Sequence, residues 1–173
     1  MKIHKWYLFI LFCGFQLTIL AQSSPKALSK IKMLSKGADV ILTGKVANQK
    51  SNWNKNKTRI YTEATLQVDE YIKGNNGSNQ VVVTYPGGEV GDVGELYTHM
   101  PKFKNDEEVL VFLKKNKANK SYKVFDGDEG KISVIKDEKT GEKVTSSNVK
   151  IKDLKAQIKN YMKAQNWLLL NKI

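Results

Sequence analysis

Apolar and polar residues alternate along much of the chain, and a period of two is typical of half-buried β-strands. The strands that this alternation predicts are 38–48, 59–74, 80–85, 107–115, 121–125 and 131–135. Polar and glycine-containing turns separate them, with a loop predicted at 50–58 and a hairpin turn at 136–143. The pattern therefore predicts a mainly β domain.

Two segments that flank the β region have a helical period instead. Residues 26–36 carry apolar positions at helical spacing, and Gly37 suits the end of a short helix. From Val149 onward apolar residues recur every three or four positions, which predicts a longer amphipathic helix at 150–166. The apolar tail at 166–173 is expected to pack back on the domain.

The predicted strand 59–74 is the most informative of these elements. Its alternation holds over the whole first ten residues, as in a strand that contributes to both halves of a small closed barrel. We therefore expect a small antiparallel OB-like barrel with a short N-terminal and a longer C-terminal helix. A β-sandwich is the alternative, and residues 22–173 should form this single domain.

The residues before this domain differ in composition from the rest. Lys2 and Lys5 precede an almost wholly apolar run that ends at Ala21, and polar residues follow at once. This is the pattern of a secretory signal peptide at 1–21. The apolar run is shorter than the roughly 20 residues of a spanning helix, so an uncleaved anchor is the alternative. We expect a secreted or periplasmic protein without membrane contact beyond the signal peptide.

Cysteine and charge narrow the classes of function. Cys13 is the only cysteine and lies in the leader, so the remaining chain has no disulfide, thiol nucleophile or cysteine-bound metal. An exported domain without disulfides fits a bacterial source. Loss of Lys2 and Lys5 lowers the formal net charge from +12 to about +10, carried almost wholly by lysine. A lysine-rich solvated surface explains this charge, and polyanion binding is the alternative.

The segment 83–101, VTYPGGEVGDVGELYTHMP, interleaves glycines with carboxylates. Our candidate binding residues are Tyr85, Glu89, Asp92, Glu95, Tyr97 and His99, and the glycines assigned to the turn are Gly87, Gly88, Gly91 and Gly94. The spacing matches neither a dinucleotide fingerprint nor a P-loop, and the carboxylates would repel a phosphate. An irregular turn with glycines at positive φ is the simplest interpretation of this segment.

Metal binding at 87–99 is an alternative, in a metal-binding protein or a metal-dependent hydrolase. The oxygen and imidazole ligands for the ion would come from Glu89, Asp92, Glu95 and His99. The acidic turn at 126–130 resembles only the start of a calcium loop. No Ser–His–Asp set or convincing carboxylate pair is present, so we expect neither enzymatic activity nor a cofactor.

Nucleic-acid binding is the other alternative, because OB-like barrels bind single strands on aromatic faces within basic grooves. Trp53 lies beside Lys55, Lys57 and Arg59, but the aromatic and basic residues do not interleave on one strand. We therefore expect no specific nucleic-acid binding. The favoured function is a monomeric, non-enzymatic module that binds a protein or an extracellular polymer.

The order of several motifs resembles a family of exported bacterial domains of largely unknown function. The motifs are ADVILTGKV, RIYTEATLQVDEYIKG, VVVTYPGGEVGDVG, PKFKNDEEVLVFL, YKVFDGDEGKISV and KIKDLKAQI, and they span roughly 37–160. More remotely, the opening ADVILTGKV is similar to the OB-like barrel of netrin modules and tissue inhibitors of metalloproteinases. The resemblance implies an exported barrel without a known activity. It implies no inhibition through an N-terminal cysteine, because the chain after the leader has none.

Overall fold

The fold is described from a computed structural model, which defines residues 25–75, 77–117 and 121–171. The predicted signal peptide lies outside these residues and stays a prediction. The elements in chain order are α1 (Pro25–Gly37), β1 (Val40–Trp53), β2 (Ile60–Lys73), β3 (Gln80–Pro86), β4 (Gly88–Val90), β5 (Val93–Glu95), β6 (Glu108–Lys115), β7 (Tyr122–Val124), β8 (Lys131–Lys136), β9 (Lys143–Thr145) and α2 (Ile151–Leu170).

Five strands close into a barrel in the order β1-β2-β3-β7-β6, and β6 returns to pair with β1. All of these pairs are antiparallel except the short parallel contact between β3 and β7, where Val83 lies opposite Tyr122. Strands β8 and β9 continue the sheet from β6, and β4 and β5 form a separate hairpin. The predicted OB-like barrel is therefore confirmed in preference to a sandwich.

Two apolar layers hold the barrel and the helices together. Val40 and Leu42 of β1 point into the barrel, whereas the intervening Ile41 packs in a second cluster with Leu34 of α1 and Ile158 of α2. Strand β6 is divided between the layers in the same way. Because both faces are covered at the start of β1 and along the middle of β6, Val40–Leu42 and Val109–Leu113 are unbroken apolar runs.

Two predicted boundaries differ from the structure by more than two residues. The first half of the predicted loop 50–58 belongs to β1, which stays paired with β2 until Trp53 lies opposite Ile60. Polar side chains are tolerated there because β1 runs beyond its pairing with β6, which ends at Lys45, and one face of this end of the β1–β2 ribbon is exposed. At the other end, α2 continues beyond 166 to Leu170, and Trp167 remains 64% exposed. The expectation that this tail packs back on the domain was wrong for its described residues.

The hairpin formed by β4 and β5 replaces part of the irregular turn expected within the segment 83–101. It lies against the β1–β2 ribbon, and the Gly87 amide donates a hydrogen bond of 2.9 Å to the Ile60 carbonyl. Gly91 begins its two-residue turn with a φ of 60°, as tight hairpins favour. This hairpin supplies one wall of the candidate site.

Candidate binding groove

A groove of about 670 Å³ lies between the barrel and the β4–β5 hairpin. We call it the hairpin groove. The end of β3 and the segment 100–103 supply its apolar floor, while β1 and β2 contribute Gln49, Ser51 and Thr62. Its volume falls in the range of about 300–1,000 Å³ that is common for binding sites in proteins.

Tyr85 and Phe103 form the aromatic part of the floor. Their ring centroids are 5.6 Å apart and the rings are tilted by 39°. The Tyr85 hydroxyl donates a hydrogen bond of 2.9 Å to Oε1 of Gln49, which fixes the ring from its polar end. Burial raises the pKa of Tyr85 above its usual range, so the phenol remains neutral at physiological pH.

Glycine permits the hairpin to approach the barrel closely. Gly88 has a φ of 127°, and a Cβ at this position would lie 2.3 Å from Ser51 Oγ and Thr62 Oγ1. These hydroxyls are 2.9 Å apart, and Thr62 Oγ1 donates a hydrogen bond of 2.6 Å to the Gly87 carbonyl. The predicted positive φ is confirmed for Gly87, Gly88 and Gly91. Gly94 instead lies within β5 and has no positive φ.

A chain of hydrogen bonds ties the hairpin to the start of β2. Arg59 Nη1 donates to the Tyr97 hydroxyl over 2.7 Å, and this hydroxyl donates to Glu95 Oε2 over 2.9 Å. Glu95 is therefore occupied with a partner inside the protein. Glu89 and Asp92 are exposed to water.

The groove brings together four of the six candidate binding residues. These are Tyr85, Glu89, Glu95 and Tyr97. Asp92 lies at the exposed tip of the hairpin, and His99 lines an adjoining hollow with a φ of 58°. The His99 carbonyl accepts a hydrogen bond of 3.1 Å from the Asp128 amide, which joins the loop after the hairpin to the turn before β8.

The acidic residues do not converge on an ion site. Within the described ranges, no three side chains of His, Cys, Asp or Glu are placed to hold a metal. In the second acidic turn, Asp126 and Glu129 instead pair with Lys30 of α1, at 2.6 and 3.5 Å. These two carboxylates help to anchor α1.

A largely buried ion pair supports the floor from behind, and it was not foreseen from the sequence. Glu107 Oε1 accepts hydrogen bonds of 2.6 Å each from Lys131 Nζ and Ser133 Oγ. Lys131 Nζ also lies 5.3 Å from the centroid of the Phe103 ring. Burial alone would raise the pKa of Glu107, but the hydrogen bonds from Lys131 and Ser133 outweigh it and lower this pKa.

Neither known protein families nor curated proteins provide a relative for this chain. No protein-family model matches it, and no curated protein matches it significantly. The resemblance to exported bacterial domains and to netrin-like modules therefore stays a prediction. In the part of the chain that the structure describes, neither helix combines the length and the apolar character needed to span a membrane.

Proposed function

We propose that this protein is an exported, non-enzymatic module that binds a protein partner in the hairpin groove. One observation carries the proposal: apolar side chains that are exposed to solvent border the groove, whose floor is aromatic. Leu96, which lines the groove, is 78% exposed, and Val93 on the hairpin is 47% exposed. Exposed apolar groups beside a groove and within a polar rim are characteristic of protein interfaces.

The polar groups of the groove support a binding role in preference to catalysis. Gln49 and Glu95 are held by tyrosine hydroxyls, and Ser51 and Thr62 are engaged with each other. Such fixed donors and acceptors can orient a partner, but they place no nucleophile beside a base. An extracellular polymer is the second class of ligand that the groove would accommodate, since hydroxyl and amide groups also suit sugars.

A matched pair of apolar substitutions tests the proposal. Leu96→Ser removes an exposed leucine beside the groove, whereas Ile135→Ser removes a 50% exposed isoleucine on β8. The wild-type protein should capture a partner from the cell-envelope and secreted fractions and bind it saturably once that partner is purified. Leu96→Ser should weaken this binding at least ten-fold, as expected when a leucine becomes buried against a partner, and Ile135→Ser should leave it unchanged.

The outcomes separate the alternatives. If both substitutions weakened binding equally, or if neither weakened it, the partner would bind elsewhere on the molecule. A captured ligand that resists protease but is degraded by glycosidase would be an extracellular polymer and not a protein. Turnover of hydrolase substrates by the purified protein would contradict a non-enzymatic role.

A further inference from the structure

The last two turns of α2 extend past the apolar core and expose large side chains. Trp167, Leu168 and Leu170 are 64%, 55% and 73% exposed. Lys163, Trp167 and Leu170 follow the spacing i, i+4, i+7, which places them on one face of the helix. Ile158 and Leu154, which anchor the earlier turns, are buried in the cluster shared with α1.

This apolar tip belongs to an almost acid-free layer. Helices α1 and α2 pack together, and Asp153 at the start of α2 is the only acidic residue in either helix. Some of their lysines are neutralised by carboxylates of the barrel and its turns, as Lys155 and Lys159 are by Glu70. The lysines in these helices that have no ion-pair partner among the described residues are Lys26, Lys32, Lys36 and Lys163.

We propose that the C-terminal end of α2 docks on an anionic lipid surface. Tryptophan and leucine are favoured at the boundary between headgroups and acyl chains, and lysine adds attraction to anionic headgroups. Each lysine close to such a surface strengthens binding several-fold. The helix would lie in the interface without crossing it.

Charge favours a membrane over a second copy of the chain. Two copies docked through this face would bring their unpaired lysines together, and like charges at an interface oppose association. An anionic surface instead complements both the helical layer and the positive net charge of the whole chain. The proposal revises the expectation of no membrane contact. It is independent of the hairpin groove, which α1 and α2 do not line.

Vesicle co-sedimentation tests the proposal. Every variant carries the same N-terminal residues, so that differences in binding come from the substitutions alone. The protein should bind vesicles of phosphatidylcholine and phosphatidylglycerol at a 7:3 ratio, and bind pure phosphatidylcholine at least ten-fold less. Replacing Trp167, Leu168 and Leu170 together with serine should weaken binding to the mixed vesicles at least ten-fold. Lys163→Gln should weaken it several-fold, and binding should fall between 50 and 200 mM NaCl. The matched control, Ile135→Ser, removes a 50% exposed apolar side chain on β8 and should bind as the wild type does.

Several results would overturn the proposal. Circular dichroism and urea unfolding establish first that the triple variant is folded. Unchanged vesicle binding by this folded variant, or equal binding to neutral and anionic vesicles, would exclude α2 as the docking element. A change in the monomer–dimer equilibrium without vesicle binding would assign the face to a second copy. Retention on heparin without vesicle binding would assign it to a soluble polyanion.

Discussion

Single glycines determine how closely the hairpin approaches the barrel. Gly88 combines a positive φ with contacts that leave no room for a side chain. Gly91, three residues away, also has a positive φ, but among the described residues no heavy atom beyond its chain neighbours would lie within 4 Å of a Cβ at this position. The two positions therefore separate the cost of backbone strain from the cost of a steric clash.

We expect Gly88→Ala to be much more destabilising than Gly91→Ala. Alanine at either site meets the left-handed backbone, which costs about 1–2 kcal/mol. Only at Gly88 does the new methyl group also displace Ser51 and Thr62, which adds about 1–3 kcal/mol. Urea unfolding of both variants measures the difference. Similar losses at the two sites would show that the hairpin does not sit against the ribbon as described.

Among the elements, α1 depends on a lysine from another part of the chain. Lys73 at the end of β2 donates hydrogen bonds to the carbonyls of Ser35, Lys36 and Ala38, at 2.9, 3.3 and 2.7 Å. A positive charge here complements the partial negative charge at the C-terminal end of the helix. Burial lowers the pKa of Lys73, in keeping with its place between the helix and the barrel.

Lys73→Met should therefore loosen α1. We expect a loss of about 1–3 kcal/mol, because several charge-assisted hydrogen bonds disappear and their carbonyl acceptors lose a partner. Hydrogen exchange at 31–38 should accelerate more than exchange in β6. Lys36→Met, at an exposed lysine on the same turn, should change the free energy of unfolding by less than about 0.5 kcal/mol. Equal effects from the two substitutions would contradict the capping role.

Local pattern predicted most of the barrel, and its failures have physical causes. The alternation in 59–74 placed Ile60, Thr62, Ala64 and Leu66 on the buried face, as observed. The polar end of β1 gave no such signal, because the face that it turns to the hairpin carries the polar residues Gln49 and Ser51. The exposed tip of α2 was misjudged because its apolar composition suggested burial.

The groove was harder to foresee than the fold. Tyr85, Glu95 and Tyr97 lie within one short segment, which is why inspection of the sequence found them. Gln49 and Phe103 join the site only through strand pairing and barrel closure. Their proximity depends on contacts between residues far apart in the chain, which composition and periodicity do not report. The ion pair between Glu107 and Lys131 was not predicted for the same reason.

Considered as one body, the protein sets a large excess of lysine against fewer carboxylates, more than half of which are engaged by partners within the described residues. The pKa is lowered at Asp39 chiefly by the hydrogen bond from Lys114, and at Glu70 by those from Lys155 and Lys159. These pairs join strands, helices and turns to one another. Protonation of the carboxylates would therefore weaken the whole fold and leave the lysine charges uncompensated.

The direction of the pH effect follows from these lowered pKa values. A carboxyl group whose pKa is lower in the folded state binds its proton more readily when the chain is unfolded. Its stabilising contribution is complete above the unfolded value of about 4 and is lost as the pH falls through the folded value. We therefore expect the free energy of unfolding to change little between pH 6 and about pH 5 and to decline as the pH falls below about 4, as measured by urea unfolding at each pH.

Glu107 should account for an identifiable part of that decline, since it is the most enclosed of these carboxylates. Glu107→Gln should lower stability at pH 7 by about 2–4 kcal/mol, because it leaves Lys131 unpaired against the barrel. The variant should then lose less stability than the wild type between pH 6 and pH 3. Replacing Lys131 with methionine in the same chain should recover part of the loss at pH 7, since the unpaired ammonium is gone.

If the single variant and the wild type declined in parallel on acidification, the pair would have no part in the acid sensitivity. If the double variant were no more stable than the single one, the penalty would come from lost packing around Phe103 and not from an uncompensated charge.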